Sequence, residues 1–221
     1  MSARWVQRFM QDQLGWSYRT ATKAARKRPN DWEAQGLLAF LRMVKTIDHH
    51  RVQSPCIIVN ADQTGISLLP TGKKTWDTIG KDQVSSINHD ERQQFTLVVA
   101  SSCGGDILPF QSVWSGKSDA SLPKPTASRR AEADQLKFTF THGDTCQWSS
   151  LQTIKEWVET TLMDHYNRVR EEEYLPDDSL GILYIDAWPV HTGKSTPDSF
   201  IPWMTRNYPW IKLIFVPVGC K

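Results

Sequence analysis

Two aspartates stand where an apolar run gives out: Asp62 follows Ile57-Ile58-Val59, and Asp186 follows Leu183-Tyr184-Ile185. A carboxylate at the end of a buried strand is costly to strip of water unless positive charge stands beside it. If the two strands are neighbours, both carboxylates emerge on one rim and can share hard cations. Mg²⁺ prefers oxygen ligands, keeps several waters, and completes its shell with a few carboxylates and a phosphate oxygen. Two such ions about 3.5–4 Å apart can activate a water or a 3′-hydroxyl and stabilise the leaving oxygen at a phosphodiester. The same positions also suit turn and capping roles, because Asp favours strand exits and helix starts through local hydrogen bonds.

The elements that must position these acids are legible from periodicity. Residues 4–27 carry Trp5, Phe9, Leu14 and Trp16 at loose helical intervals interrupted by Gly15, and Pro29 closes the segment, which predicts two short helices. Residues 32–49 place Leu37, Leu38, Leu41, Val44 and Ile47 on one helical face. After Pro55 the pattern becomes an apolar run at 56–59, then Asn60-Ala61-Asp62-Gln63-Thr64-Gly65, then a second run at 66–69, predicting two strands joined by a tight turn. Residues 95–100 and 107–114 read as strands of a hairpin whose connection uses glycine for positive φ angles. The polar stretch 115–134, with Pro123, Pro125, Arg129 and Arg130, reads as a long exposed loop.

Residues 149–173 form an amphipathic helix through Leu151, Ile154, Val158, Leu162, Tyr166 and Val169. A strand at 180–185 ends at Asp186, a helix opens at Thr196-Pro197-Asp198 and runs to about Arg206, and 211–216 form the last strand. Antiparallel strands, then helix, strand, helix and strand, are the ribonuclease H-like order. The expected fold class is therefore α/β, a mixed sheet flanked by helices, with residues 1–52 as a basic helical linker and 53–221 as the core.

With 221 residues, 39% of them hydrophobic, the chain can bury one substantial core. No apolar run reaches the length of a membrane span, and residues 1–13 lack the apolar stretch of a signal peptide, so a soluble intracellular protein is expected. Cys56, Cys103, Cys146 and Cys220 are scattered and form no C-x-x-C pair; buried free thiols are expected rather than a zinc site or disulfide framework. The formal charge of +2 is uneven, because the first 30 residues hold seven basic residues and one acid, a net +6. Such an arm suits a polyanionic partner, and equally a solvated helix face.

Asn60-Ala61-Asp62-Gln63-Thr64-Gly65 resembles the first-aspartate motif of pogo-like transposases, N-x-D-E/Q-T-G. The segment from Leu183 through Asp186 to His191 is similar to the second-aspartate motif of that family, with its histidine five positions on. Trp16-Ser17-Tyr18-Arg19, Thr22-Lys23-Ala24-Ala25-Arg26-Lys27 and the stretch from Trp203 to Pro217, continued by Val218-Gly219-Cys220, extend the resemblance over nearly the whole chain. A DDE transposase of the pogo/mariner kind is what this resemblance implies. It further implies Asp62 and Asp186 as catalytic metal ligands, two Mg²⁺ or Mn²⁺ ions, and DNA contacts through Arg19, Lys23, Arg26, Lys27, Arg28 and His191. The partner expected is DNA, with no membrane; a homodimer is admitted, and the nucleus is the expected compartment.

The family also places a third carboxylate in a Q-P-x-D segment after the last strand, whereas no Asp or Glu comes after Asp198 here. The chain as it stands is therefore expected to end before that acid and to be inactive or nearly so, with a non-catalytic nucleic-acid-binding module as the alternative. Two other readings fail. The run into Asn60-Ala61-Asp62 is similar to a haloacid-dehalogenase phosphatase motif, but an amide at Asn60 cannot form the aspartyl-phosphate. Gly193-Lys194-Ser195 lacks the preceding glycine of a phosphate-binding loop.

Overall fold

A computed structural model describes residues 2–20, 29–68, 74–79, 94–143, 147–193 and 196–217. Along the chain run α1 (Ala3–Asp12), β1 (Trp16–Thr20), α2 (Trp32–His50), β2 (Ile58–Ser67), β3 (Lys74–Thr78), β4 (Gln94–Ser102) and β5 (Gln111–Trp114). Next come α3 (Arg130–Gln135), β6 (Thr139–His142), α4 (Leu151–Trp157), a π-helical turn (Val158–Leu162), α5 (Met163–Glu172), β7 (Gly181–Asp186), α6 (Pro189–Thr192), α7 (Phe200–Asn207) and β8 (Ile211–Val216). The chain divides into two units, one from Met1–Lys27 with Ser67–Gln93, the other from Arg28–Ile66 with Gln94–Lys221.

In the first unit, the Ser2 hydroxyl caps α1 by accepting from the Trp5 amide. Gly15, at φ +61°, breaks the helical path, a left-handed conformation that costs glycine no Cβ clash. The element after it is a strand, not the second helix expected from the loose apolar spacing. β1 pairs antiparallel with β3, Trp16 opposite Thr78, and the Tyr18 ring lies 5.4 Å from that of Trp76. Aromatic and hydroxyl-bearing residues in alternation favour a pleated surface, and cross-strand pairing decides the outcome.

The second unit holds a six-stranded sheet in the order β6-β5-β4-β2-β7-β8. β4 and β5 are antiparallel, while β2 with β7 and β7 with β8 are parallel. The Cys103 amide just past β4 donates to the carbonyl of Ile58 at the start of β2, as strands running in opposite directions require. This is a mixed α/β, ribonuclease H-like arrangement with one addition, β6, paired parallel to β5 at the sheet's edge. Four residues are too few for a periodic signal, so the sequence does not announce β6; nor does it announce α3, which lies in the stretch expected to be loop. Gly105, at φ +102°, makes the β4–β5 turn, where the Ser102 hydroxyl donates to Asp106 and holds its carboxyl below the usual carboxylate range. The cysteine expectation is corrected here: Cys56 is half-buried and Cys103 is exposed, because Cys103 stands in that turn. Cys146 and Cys220 lie outside the described residues.

One continuous helical stretch, α4 through the π turn to α5, builds the core. Ser150 and Thr153 close its first turn reciprocally as a capping box. Ile154, Trp157, Val158, Leu162, Tyr166 and Val169 are all buried and pack on Val59, Ala61, Leu183 and Ile185 of the sheet. The buried Gln111 amide donates to the Thr153 carbonyl at 3.0 Å, tying β5 to α4. Trp203 joins this core, and Trp210 packs 5.8 Å from Tyr166 while Arg170 lies over its ring at 3.7 Å. Both tryptophans thus pack against the core.

The Tyr166 hydroxyl, fully buried, donates to the Ile182 carbonyl at 2.8 Å. Burial lifts its phenol well above the ordinary value of 10.0, so the unfolded chain releases this proton first. Its contribution to stability is full below about pH 10 and is lost as pH rises beyond it. Tyr166→Phe is expected to cost about 1 kcal/mol at neutral pH, read as a shift in the urea midpoint. The variant's stability should also fall less steeply than wild type above about pH 10; equal alkaline slopes would contradict the assignment.

Candidate active site

β2 and β7 run parallel in register, with Ile58 opposite Ile182, Val59 opposite Leu183, Asn60 opposite Tyr184 and Ala61 opposite Ile185. One residue further along both strands stand Asp62 and Asp186. Neighbouring strands lie about 4.8 Å apart, so the two aspartates are abreast. Side chains alternate across a sheet, and paired residues of parallel strands share a face. Val59, Ala61, Leu183 and Ile185 are each 3% exposed or less and form the core face. Asn60, Asp62, Tyr184 and Asp186 therefore occupy the opposite face, where Asp62 is exposed and Asp186 half-buried.

The motif expected to form a tight turn is instead continuous strand: β2 passes through Asp62 and runs on to Ser67. The reason is pairing, since β4 runs beside β2 and takes up backbone groups that a turn would have bonded internally. Consequently Asp62 is fixed within a strand, and Asn60 shares its face, a relation that the turn reading hides. Asp62 accepts the Gln63 amide at 2.8 Å through its own carboxylate.

Asp186 is the last residue of β7, and the chain bends immediately. The amide of Trp188 and Nδ1 of His191 both donate to the Asp186 carbonyl, each at 2.8 Å. A carbonyl accepts only, so His191 carries its proton on Nδ1 in this bond. The ring is 2% exposed and sits between Trp188 at 5.8 Å and Phe200 at 5.6 Å. So placed, His191 braces the backbone at Asp186 and does not present an open face to a phosphate. α6, beginning at Pro189, supplies that brace; its four residues are too short to show periodicity.

Arg19 belongs to β1, but its side chain lies outside the described residues, as do Lys23, Arg26, Lys27, Arg28 and Lys194. Arg206 is exposed and donates to the Pro197 carbonyl at 3.4 Å. The Asp198 carbonyl accepts from Lys155 at 2.7 Å. Among the described residues no three His, Cys, Asp or Glu side chains are grouped to hold a metal. Asp62 and Asp186 provide two oxygen donors on one face, which suits a divalent ion that keeps waters and takes further oxygens from a phosphate. Among the described residues, no helix is long and apolar enough to cross a membrane.

No protein-family model and no curated protein matches the chain. Among solved structures it is similar to the Mos1 transposase in a paired-end complex with the left transposon end, at 12% identity and a TM-score of 0.42, over 95% of this chain and 49% of that one. It is also similar to a Mos1 mariner paired-end complex with Mn, at 10% identity and a TM-score of 0.37, over 99% of this chain and 60% of that one. The chain thus spans about half of the first and three fifths of the second.

Proposed function

We propose that this chain is a transposase-derived, ribonuclease H-like domain that processes DNA, with Asp62 and Asp186 as ligands for Mg²⁺ or Mn²⁺. The observation that carries this reading is the β2–β7 register, which sets two carboxylates side by side on one face. Adjacent like charges repel and are unfavourable on neighbouring strands, so a site of this kind gains from a cation between them. When bound, the metal would supply Lewis acidity toward a phosphodiester. The chain's own residues hold the acids in register and brace the Asp186 backbone through His191. The basic arm containing Arg19, Lys23, Arg26, Lys27 and Arg28 would supply sequence-independent attraction to phosphates. Nuclear localisation and a homodimer belong to the same proposal.

A second reading has its own support. Two carboxylates alone hold a pair of dications weakly, and the described residues bring no third acid to them. On that ground the chain binds DNA without cutting it, as a module derived from a nuclease. The two readings separate by metal dependence.

Millimolar Mg²⁺ or Mn²⁺ should raise the melting temperature of the chain by about 3 °C, corresponding to about 1 kcal/mol of preferential binding to the folded state. Asp62→Asn and Asp186→Asn should each remove that rise, and EDTA should reverse it. A rise that survives in either variant would refute the shared site, and no rise in the wild type would favour the non-catalytic module.

Binding to a short DNA duplex, measured by fluorescence anisotropy, should weaken by at least about tenfold between 50 and 200 mM salt if the arm makes several phosphate contacts. Lys23→Ala with Arg26→Ala should flatten that dependence. Salt-independent binding would remove the arm from the interface, and nicking of DNA by this chain would show that two acids suffice.

A further inference from the structure

α2 is a nineteen-residue helix in which Ala39 alone is buried. Gly36, Ala39 and Met43 turn toward Tyr184 and Val216 across a cavity of about 240 Å³. Phe40 also lines that cavity, while the other large apolar side chains lie elsewhere: Leu37, Leu38, Leu41 and Val44 are 45–58% exposed. A folded chain rarely leaves so many large apolar groups of one helix in water unless that face meets a partner.

The pattern on this face has a definite geometry. Ala34, Leu37, Leu41, Val44 and Asp48 recur at steps of three and four, the spacing that forms the seam of a two-helix coil. Beside the seam, seven residues apart, lie Asp31, Leu38 and Lys45. All of these residues are exposed. Asp31 accepts from the side chain of Gln35 but makes no side-chain cap to the α2 backbone.

We propose that the outward face of α2 is an interface for a second copy of this chain, docked antiparallel. In an antiparallel pair, seam layers form between Leu37 and the second copy's Leu41, and between Ala34 and its Val44, small against large. On the flank the same register sets Leu38 against its counterpart and Asp31 beside the second copy's Lys45, twice by symmetry. A parallel pair would place Lys45 beside Phe40 and give Asp31 no base. The charge pattern therefore selects both the occupant and its direction, and the antiparallel helix dipoles agree with it. This gives the homodimer proposed above a contact face and a direction, and it does not depend on the metal ligands.

Sedimentation equilibrium of the full chain, from about 1 to 100 µM, tests the proposal over the range of micromolar affinities expected of a short seam. The wild type should dimerise. Leu41→Asp should leave a monomer with an unchanged circular dichroism spectrum, since Leu41 is half-exposed and not part of the core. Asp31→Lys and Lys45→Asp should each raise the dissociation constant at least about tenfold, and an equimolar mixture of the two should recover wild-type affinity as a heterodimer. A wild type that stays monomeric would overturn the interface, as would a dimer indifferent to Leu41→Asp. Single charge variants without effect would overturn the antiparallel register.

Discussion

Parallel pairing of β2 with β7, held without a slip from Ile58 opposite Ile182 to Ala61 opposite Ile185, governs the active site proposed for this molecule. A shift of one residue would send every side chain of β2 to the other face. Asp62 would then enter the apolar core, and Val59 and Ala61 would be turned into water. Burial of those two at 0% and 3% is thus the same fact as the placement of the acid. The hydrophobic pattern that stabilises the sheet also fixes where its carboxylates emerge.

Around that pair the fold is arranged to resist the slip. The stretch from α4 through the π turn to α5 lays Ile154, Trp157, Leu162 and Tyr166 across the core face, and the Tyr166 hydroxyl anchors to the backbone of β7 itself. Gly181 permits this close approach, since a Cβ there would stand 3.1 Å from the Tyr166 ring and 3.3 Å from the Ile57 carbonyl. At the other end of β7, His191 and the Trp188 amide take the Asp186 carbonyl between them. Both ends of the strand that presents the second acid are therefore tied to packed aromatic residues.

Much of this is legible in the residues. β7 and β8 show as short apolar runs, α2 and the α4–α5 stretch as helical periodicities, and the order of elements implies the sheet. The mismatches have a common cause. Asn60-Ala61-Asp62-Gln63-Thr64-Gly65 is polar and turn-like locally, and Trp16-Ser17-Tyr18-Arg19-Thr20 sits in a loosely helical context, yet both are strands because a partner strand takes their backbone hydrogen bonds. Pairing between residues distant in sequence is the contribution that local propensity omits. The convergence of Asp62 and Asp186 requires that pairing and enters the sequence reading only as a condition. The role of His191 as a brace needs the bend after Asp186, which no periodicity announces. The outward apolar face of α2 has the pattern of a core stripe, because composition does not say which side of a helix meets the sheet.

The adjacency of the two acids can be measured without metal or DNA. In a chain bearing Asp62→Cys and Asp186→Cys, with Cys56, Cys103, Cys146 and Cys220 all replaced by serine, neighbouring positions on one face should form an intramolecular disulfide under mild oxidation, because strands about 4.8 Å apart fall within the Cα separation a disulfide spans. Ala61→Cys with Asp186→Cys, on opposite faces, should not. Efficient cross-linking in the first pair and none in the second is the predicted result; no disulfide between positions 62 and 186 in the folded protein would contradict the shared site.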